Sequence, residues 1–352
     1  MFTWTNQPYE SMWNHLRVLQ IPKNVEALLT GKMKSERQSF FESCELTSRK
    51  SHQIAYAIKQ ADEYFTAGDS VSIATSPLMY FYGMLALTKA LLVANSEETL
   101  LEDIKYHGLY TRPITSDLRR YTSNISEWCI EKEYAITNEG VLPKFLALVQ
   151  DFNMPVKSII RFKDLLKINP EIGDIYRRYY DQPPSFFPLY SHKNIEEPFS
   201  VELNPQTTDP ELFLQSFEHI QGDFEITEEI LHNQALVVKS RENVIEYPNY
   251  MGLYYPNPGG RFLVSGLEFE HENQIQRRYV PPELCDYIGM FILGDVVRYK
   301  QEFWGKTITG EIDGSISLIQ LYVSISRNRF PNFILNQLFN ESFTYGSVGR
   351  LM

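Results

Sequence analysis

One of the seven histidines in this 352-residue chain stands in a setting that suits chemistry. His107 is followed by Gly108, with Arg112 five residues on and Lys89 at the end of an apolar run before it. An imidazole beside a glycine turn, with cations on either side, can hold an anion or move a proton. The same residue types also suit a turn histidine bonded to backbone. His107 and Arg112 are therefore the candidates for a catalytic or anion-binding role. A second group is Asp295, Arg298, Tyr299 and Trp304. Asp295 lies one helical turn before Arg298, at pairing distance. An arginine at a helix end beneath aromatics is either a partner anchor or an interior ion pair.

Other constellations are weaker. Glu228 and His232 share a face if residues 224–232 are helical, and Glu268, Glu270, His271 and Glu272 cluster further on. Each set has one histidine and no ligand spacing of a known metal centre, so no metal is expected. The run Asn257-Pro258-Gly259-Gly260-Arg261 lacks both the phosphate-loop lysine pattern and the dinucleotide fingerprint. Nucleophile-elbow and zinc-protease sequences are absent too. No cofactor is expected.

Composition limits the partners. With 43% hydrophobic and 22% charged residues the chain can bury a sizeable core. The 14% aromatic content suits both core packing and binding surfaces. A net charge of −11 repels polyphosphates at long range, and the arginine doublets at 119–120, 177–178 and 277–278 are isolated. A protein partner or a second copy is thus the expected associate, with nucleic acid disfavoured. Cys44, Cys129 and Cys285 are few and far apart, which fits a reducing cytoplasm. The N-terminal residues do not have the pattern of a secretory signal. Residues 77–94 carry only Lys89 as a charge, yet Pro77 and the polar residues before it favour a buried core helix over a membrane span.

Stepping along the chain, Tyr9, Met12, Trp13, Leu16 and Leu19 recur at helical spacing. A helix over 47–67 places Ile54, Ile58, Ala61 and Phe65 on one stripe, with Gly68 as its stop. The next helix is capped by Ser76, has Pro77 at its first position, and exits at Asn95. Further helices are expected over 143–152, 156–167, 283–304, 313–327 and 331–340. The prolines between 183 and 210 mark turns, extended backbone and a linker. Runs at 199–203, 235–239, 244–247, 252–255 and 261–265 read as strands of a small antiparallel sheet, the last two forming a hairpin.

The segment SPLMYFYGMLALTKALL with His107-Gly108-Leu109 and Arg112, and the stretch DYIGMFILGDVVRYKQEFW, resemble YaaC-like bacterial proteins. That resemblance implies an intracellular bacterial protein and carries over no activity. Tyr80, Tyr82, Lys89, Ala90, Leu91, His107 and Gly108 are also similar to helical domains of the HEPN type. Catalytic members of that class use an arginine followed by a histidine after four to six residues, and none of the seven histidines here has that arrangement. The expected fold is mainly α with a small antiparallel β region, its N- and C-terminal helices packed together in a HEPN-like core. Residues 1–195 form a helical region, 196–280 a β-rich subdomain, and 281–352 helices that pack on the first. Lys89, Tyr82, Arg298 and Trp304 are the expected binding residues. The expected function is a non-catalytic helical interaction or regulatory component. The alternative is a HEPN-like RNA-processing enzyme or toxin of a defence or stress system.

Overall fold

A run of apolar residues with no polar face can exist in water only if other elements surround it, and this requirement organises the helices. The computed structural model describes residues 1–35, 44–111, 129–150, 152–182, 184–193, 200–203, 224–227, 236–240, 251–254 and 262–346. Helix α1 (Pro8–Val18) has its proline in the first turn and buries Met12, Trp13 and Leu16. After α2 (Pro22–Ser35) comes α3 (Cys44–Ser70), whose Ile54, Ile58, Ala61 and Phe65 form one buried stripe. Gly68 was the expected stop, but it lies inside α3 and serves packing. A Cβ there would fall 2.5 Å from the Tyr80 ring, just as one at Gly83 would fall 2.5 Å from Phe65. These two close approaches let α3 and α4 (Ser76–Ala94) interlock.

Helix α4 starts at Ser76, one residue earlier than its capping pattern suggests. The cap position is Thr75, which makes no side-chain capping bond, and Pro77 sits in the first turn. At the other end Asn95 donates its side-chain amide to Leu91 O over 2.9 Å. Among the described residues α4 is the one helix long and apolar enough to cross a membrane, and 72% of that window is buried inside the fold. The remaining helices are α5 (Val141–Gln150), α6 (Phe162–Lys167), α7 (Gly173–Tyr180), α8 (Pro282–Tyr299), α9 (Gln301–Thr309) and α10 (Ile316–Phe339).

Three expectations change here. The apolar stretch 283–304 is two helices, broken at Lys300. Residues 156–167 begin as strand before turning into α6. The two helices expected over 313–340 are one, running through Pro331. An interior proline costs about 3 kcal/mol. Phe330, Ile334, Leu335 and Leu338, all fully buried around it, each return roughly 1.5–3 kcal/mol.

The strands are β1 (Phe2–Trp4), β2 (His107–Tyr110), β3 (Tyr134–Gly140), β4 (Ile159–Arg161), β5 (Phe186–Lys193), β6 (Ser200–Leu203), β7 (Phe224–Thr227), β8 (Leu236–Ser240), β9 (Met251–Tyr254), β10 (Phe262–Ser265), β11 (Leu267–His271), β12 (Gln274–Arg278) and β13 (Thr344–Gly346). The fold is mainly α with an antiparallel β region. Because Phe224–Thr227 is a strand, the helix expected over 224–232 does not begin there. Glu228 and His232 lie outside the described residues, as does the run at 244–247.

The chain forms two compact units, 1–159 with 286–352, and 160–285. In the first, α10 packs on both α1 and α4, so N- and C-terminal helices share one core. Helix α8 meets α4 through Phe81, whose ring lies 5.6 Å from Tyr287 and 5.4 Å from Phe291. Asp286 ties α8 to α10 by accepting from Arg329 at 2.7 and 2.8 Å and from Ser326 at 2.7 Å. Strands β2 and β3 pair antiparallel, and β1 pairs parallel with β13. The second unit holds a sheet of order β7-β8-β6-β5-β10-β9, two of whose strands come from the proline-rich stretch. It also holds the hairpin β11–β12, which turns through Glu272 and Asn273, both at positive φ.

Candidate functional site

His107 owes its position to two glycines and a tyrosine. Gly108 has φ +80° and no room for a side chain, since a Cβ would lie 2.5 Å from the backbone nitrogen of Leu142. Across the ladder, Gly140 has φ +134°, and a Cβ there would strike Tyr106 O. The β2–β3 register slips between His107 and Leu109, which breaks the regular ladder beside the imidazole. Tyr287, fully buried on α8, donates its hydroxyl to the carbonyl of His107 over 3.0 Å. The ring itself stands edge-on to Phe81 at 5.6 Å and near Phe291 at 6.5 Å. Its Nδ1 is buried and has no hydrogen-bond partner among the described residues.

The charges of two cations, Lys89 and Arg298, reach this imidazole. Tyr82 and Lys89 are seven residues apart on α4 and share a face, while Phe291, Asp295 and Arg298 line one face of α8. Arg298 donates Nε to Gly294 O and Nη1 to the Tyr82 hydroxyl, both over 3.2 Å, and Tyr82 stacks on Tyr64 at 5.6 Å. Its Nη2 lies 4.0 Å from Asp295, beyond hydrogen-bond range. A guanidinium has five N–H groups, so donors remain free. Lys89 makes no hydrogen bond or ion pair among the described residues. Burial lowers its pKa, with no carboxylate among the described residues to raise it again. The pKa of His107 is held below its ordinary value first by burial, then by the charges of Lys89 and Arg298. The imidazole is therefore neutral near pH 7 and sits in a positive field.

The acids nearby are already engaged. Glu133, buried, accepts from Lys300 through both oxygens at 2.5 and 2.6 Å. Burial raises the pKa of Asp295, while a hydrogen bond from the Thr111 side chain and the charges of Lys300 and Arg298 pull it back. Arg298 thus shares its only close carboxylate among the described residues with two other groups.

Of the residues expected from the sequence, Lys89, Tyr82, His107 and Arg298 meet in this region. Arg112 lies outside the described residues. Trp304 is elsewhere in its contacts: its indole donates to Ala74 O over 3.1 Å, closing the turn before α4. Tyr299 is largely exposed, with the Arg298 guanidinium 5.1 Å from its ring. In the other unit Glu268 is paired with Arg277, and Glu270 with Arg161 at 2.7 Å. Among the described residues no three His, Cys, Asp or Glu side chains converge as metal ligands would. Sequence reasoning missed Tyr287, Phe291 and Thr111. The four-, four- and three-residue steps through Tyr287, Phe291, Asp295 and Arg298 are the signal that one face of α8 was shared.

No curated protein and no solved structure shows significant similarity to the chain. The model of the YaaC-like protein family matches residues 17–338, nearly the whole length, and the chain belongs to that family.

Proposed function

We propose that this is a cytoplasmic, non-catalytic regulatory component that binds a small anion between Lys89, His107 and Arg298 and acts through a protein partner. One observation carries the reading: two cations whose charges reach an imidazole with an Nδ1 unpartnered among the described residues lie in one helical unit, with Glu133 committed to Lys300 and Asp295 4.0 Å from Arg298. Cations left with spare donors in a half-buried setting lower their free energy by accepting an anion. A catalytic role would need a second group poised to exchange a proton with His107. Among the described residues its Nδ1 has no such partner. The strong aromatic content and the acidic net charge favour a protein partner over nucleic acid.

The alternative is RNA cleavage in a HEPN-like helical domain. It requires the arginine-to-histidine spacing that every histidine in the sequence lacks. Isothermal titration of the purified protein with inorganic phosphate tests the main reading. Saturable binding to the wild type, weakened in Lys89→Gln, supports it. Equal heats for both proteins contradict it.

A further inference from the structure

The donors around His107 outnumber what a carboxylate can use. Lys89 offers three N–H groups, Arg298 keeps those not given to Gly294 and Tyr82, and the Tyr82 hydroxyl, which accepts from Arg298, still has its own proton to donate. A carboxylate presents two oxygens in a plane. A tetrahedral oxyanion presents three terminal oxygens in different directions, which suits donors arriving from α4, α8 and β2. Charge points the same way: Lys89 and Arg298 supply two positive charges, and the one carboxylate paired with them among the described residues, Asp295, stands 4.0 Å from Arg298, beyond hydrogen-bond range. The walls matter too. Phe81 and Phe291 flank the imidazole, so a single terminal group fits against it better than a strand with a charge on every unit. The net charge of −11 opposes a long polyanion but acts only weakly on one small dianion.

We propose that the site takes a small dianionic oxyanion of the phosphate-monoester class, held by Lys89, Arg298, Tyr82 and His107. This rests on the anion-binding reading above and narrows it to one ligand chemistry. Neither a monoanionic phosphodiester nor a carboxylate supplies both the charge and the number of acceptors.

The test uses the full-length protein and four probes: sulfate, phenyl phosphate, acetate and dimethyl phosphate, each titrated calorimetrically and in competition. Sulfate and phenyl phosphate should compete for one site and bind at least about tenfold more tightly than acetate or dimethyl phosphate. Lys89→Gln should weaken both dianions by about tenfold or more, the size of one lost charge-assisted hydrogen bond. Its thermal midpoint without ligand should stay close to that of the wild type, because Lys89 has no partner to lose among the described residues. Equal affinity for all four probes would overturn the dianion proposal and leave anion binding intact. No binding of any probe to folded protein would overturn both. An RNA oligonucleotide without a terminal phosphate, binding more tightly than phenyl phosphate and lost in Lys89→Gln, would overturn the proposal in favour of a polyanion.

Discussion

The Tyr287 hydroxyl donates to the backbone carbonyl of His107 over 3.0 Å, joining the middle of α8 to the bulge at the start of β2. Tyr287 is fully buried, and the bond it makes is part-buried. Removing the donor leaves a partly shielded acceptor unpaired, at a cost of about 1–3 kcal/mol. Tyr287→Phe should therefore lower stability in urea denaturation by that amount and weaken anion binding. A variant as stable as the wild type, with unchanged binding, would show that this bond does not hold His107.

Gly108 carries the second positional demand. An alanine there must adopt φ +80° and place its Cβ 2.5 Å from the Leu142 nitrogen. Strain of this kind costs on the order of 1–3 kcal/mol, and the clash adds to it. Gly108→Ala should lower the thermal midpoint more than an alanine at Gly305, where nothing lies within 4 Å of the added atom. Equal effects at the two positions would contradict the geometry.

His107 titrates below 6.5 in the folded protein because it is buried and faces Lys89 and Arg298. The unfolded chain then binds more protons than the folded one, so this group makes stability rise with pH up to about 6.5. Below that value the contribution is lost progressively until the folded protein also takes up its proton. Lys89→Gln should move the His107 midpoint upward in an NMR pH titration. An unmoved midpoint would mean that the Lys89 charge does not reach the ring.

Asp164, on α6, behaves in the opposite sense. Burial, reinforced by Glu268 and opposed by Arg161, pushes its pKa up to about 6. Between about 4 and 6 the folded protein binds more protons than the unfolded chain, so this group lowers stability as pH rises through that window. Asp164→Asn should raise the thermal midpoint at pH 7 and leave it little changed at pH 4. A loss of stability at both pH values would indicate that the ionised carboxylate is a needed partner.

His107, Gly108 and Lys89 were legible in the sequence because they lie close together and their types declare a turn and a charge. Arg298 was legible as a helix-end cation, but nothing local links it to His107. Tyr82 reaches it across 216 residues, through a hydrogen bond that only the packing of α4 on α8 creates. Tyr287 stayed hidden because its partner is a backbone carbonyl 180 residues away, which no residue type announces. Helix α4 was readable from its unbroken apolar run and Pro77. Helix α10 was not, since Pro331 reads as a break and only the burial of Phe330 and Ile334 around it keeps the helix continuous. Strands β2, β11 and β12 are short and partly exposed, so they leave little hydrophobic alternation to read.

If Lys89, His107 and Arg298 act on one bound anion, NMR titration of the His107 ring with sulfate at constant ionic strength reads that binding at the imidazole itself. An anion seated between the three groups screens the two cations, so the His107 midpoint should climb with sulfate and saturate, and Lys89→Gln should need more sulfate for the same change. A His107 signal indifferent to sulfate in the folded protein would mean that no anion sits between these groups.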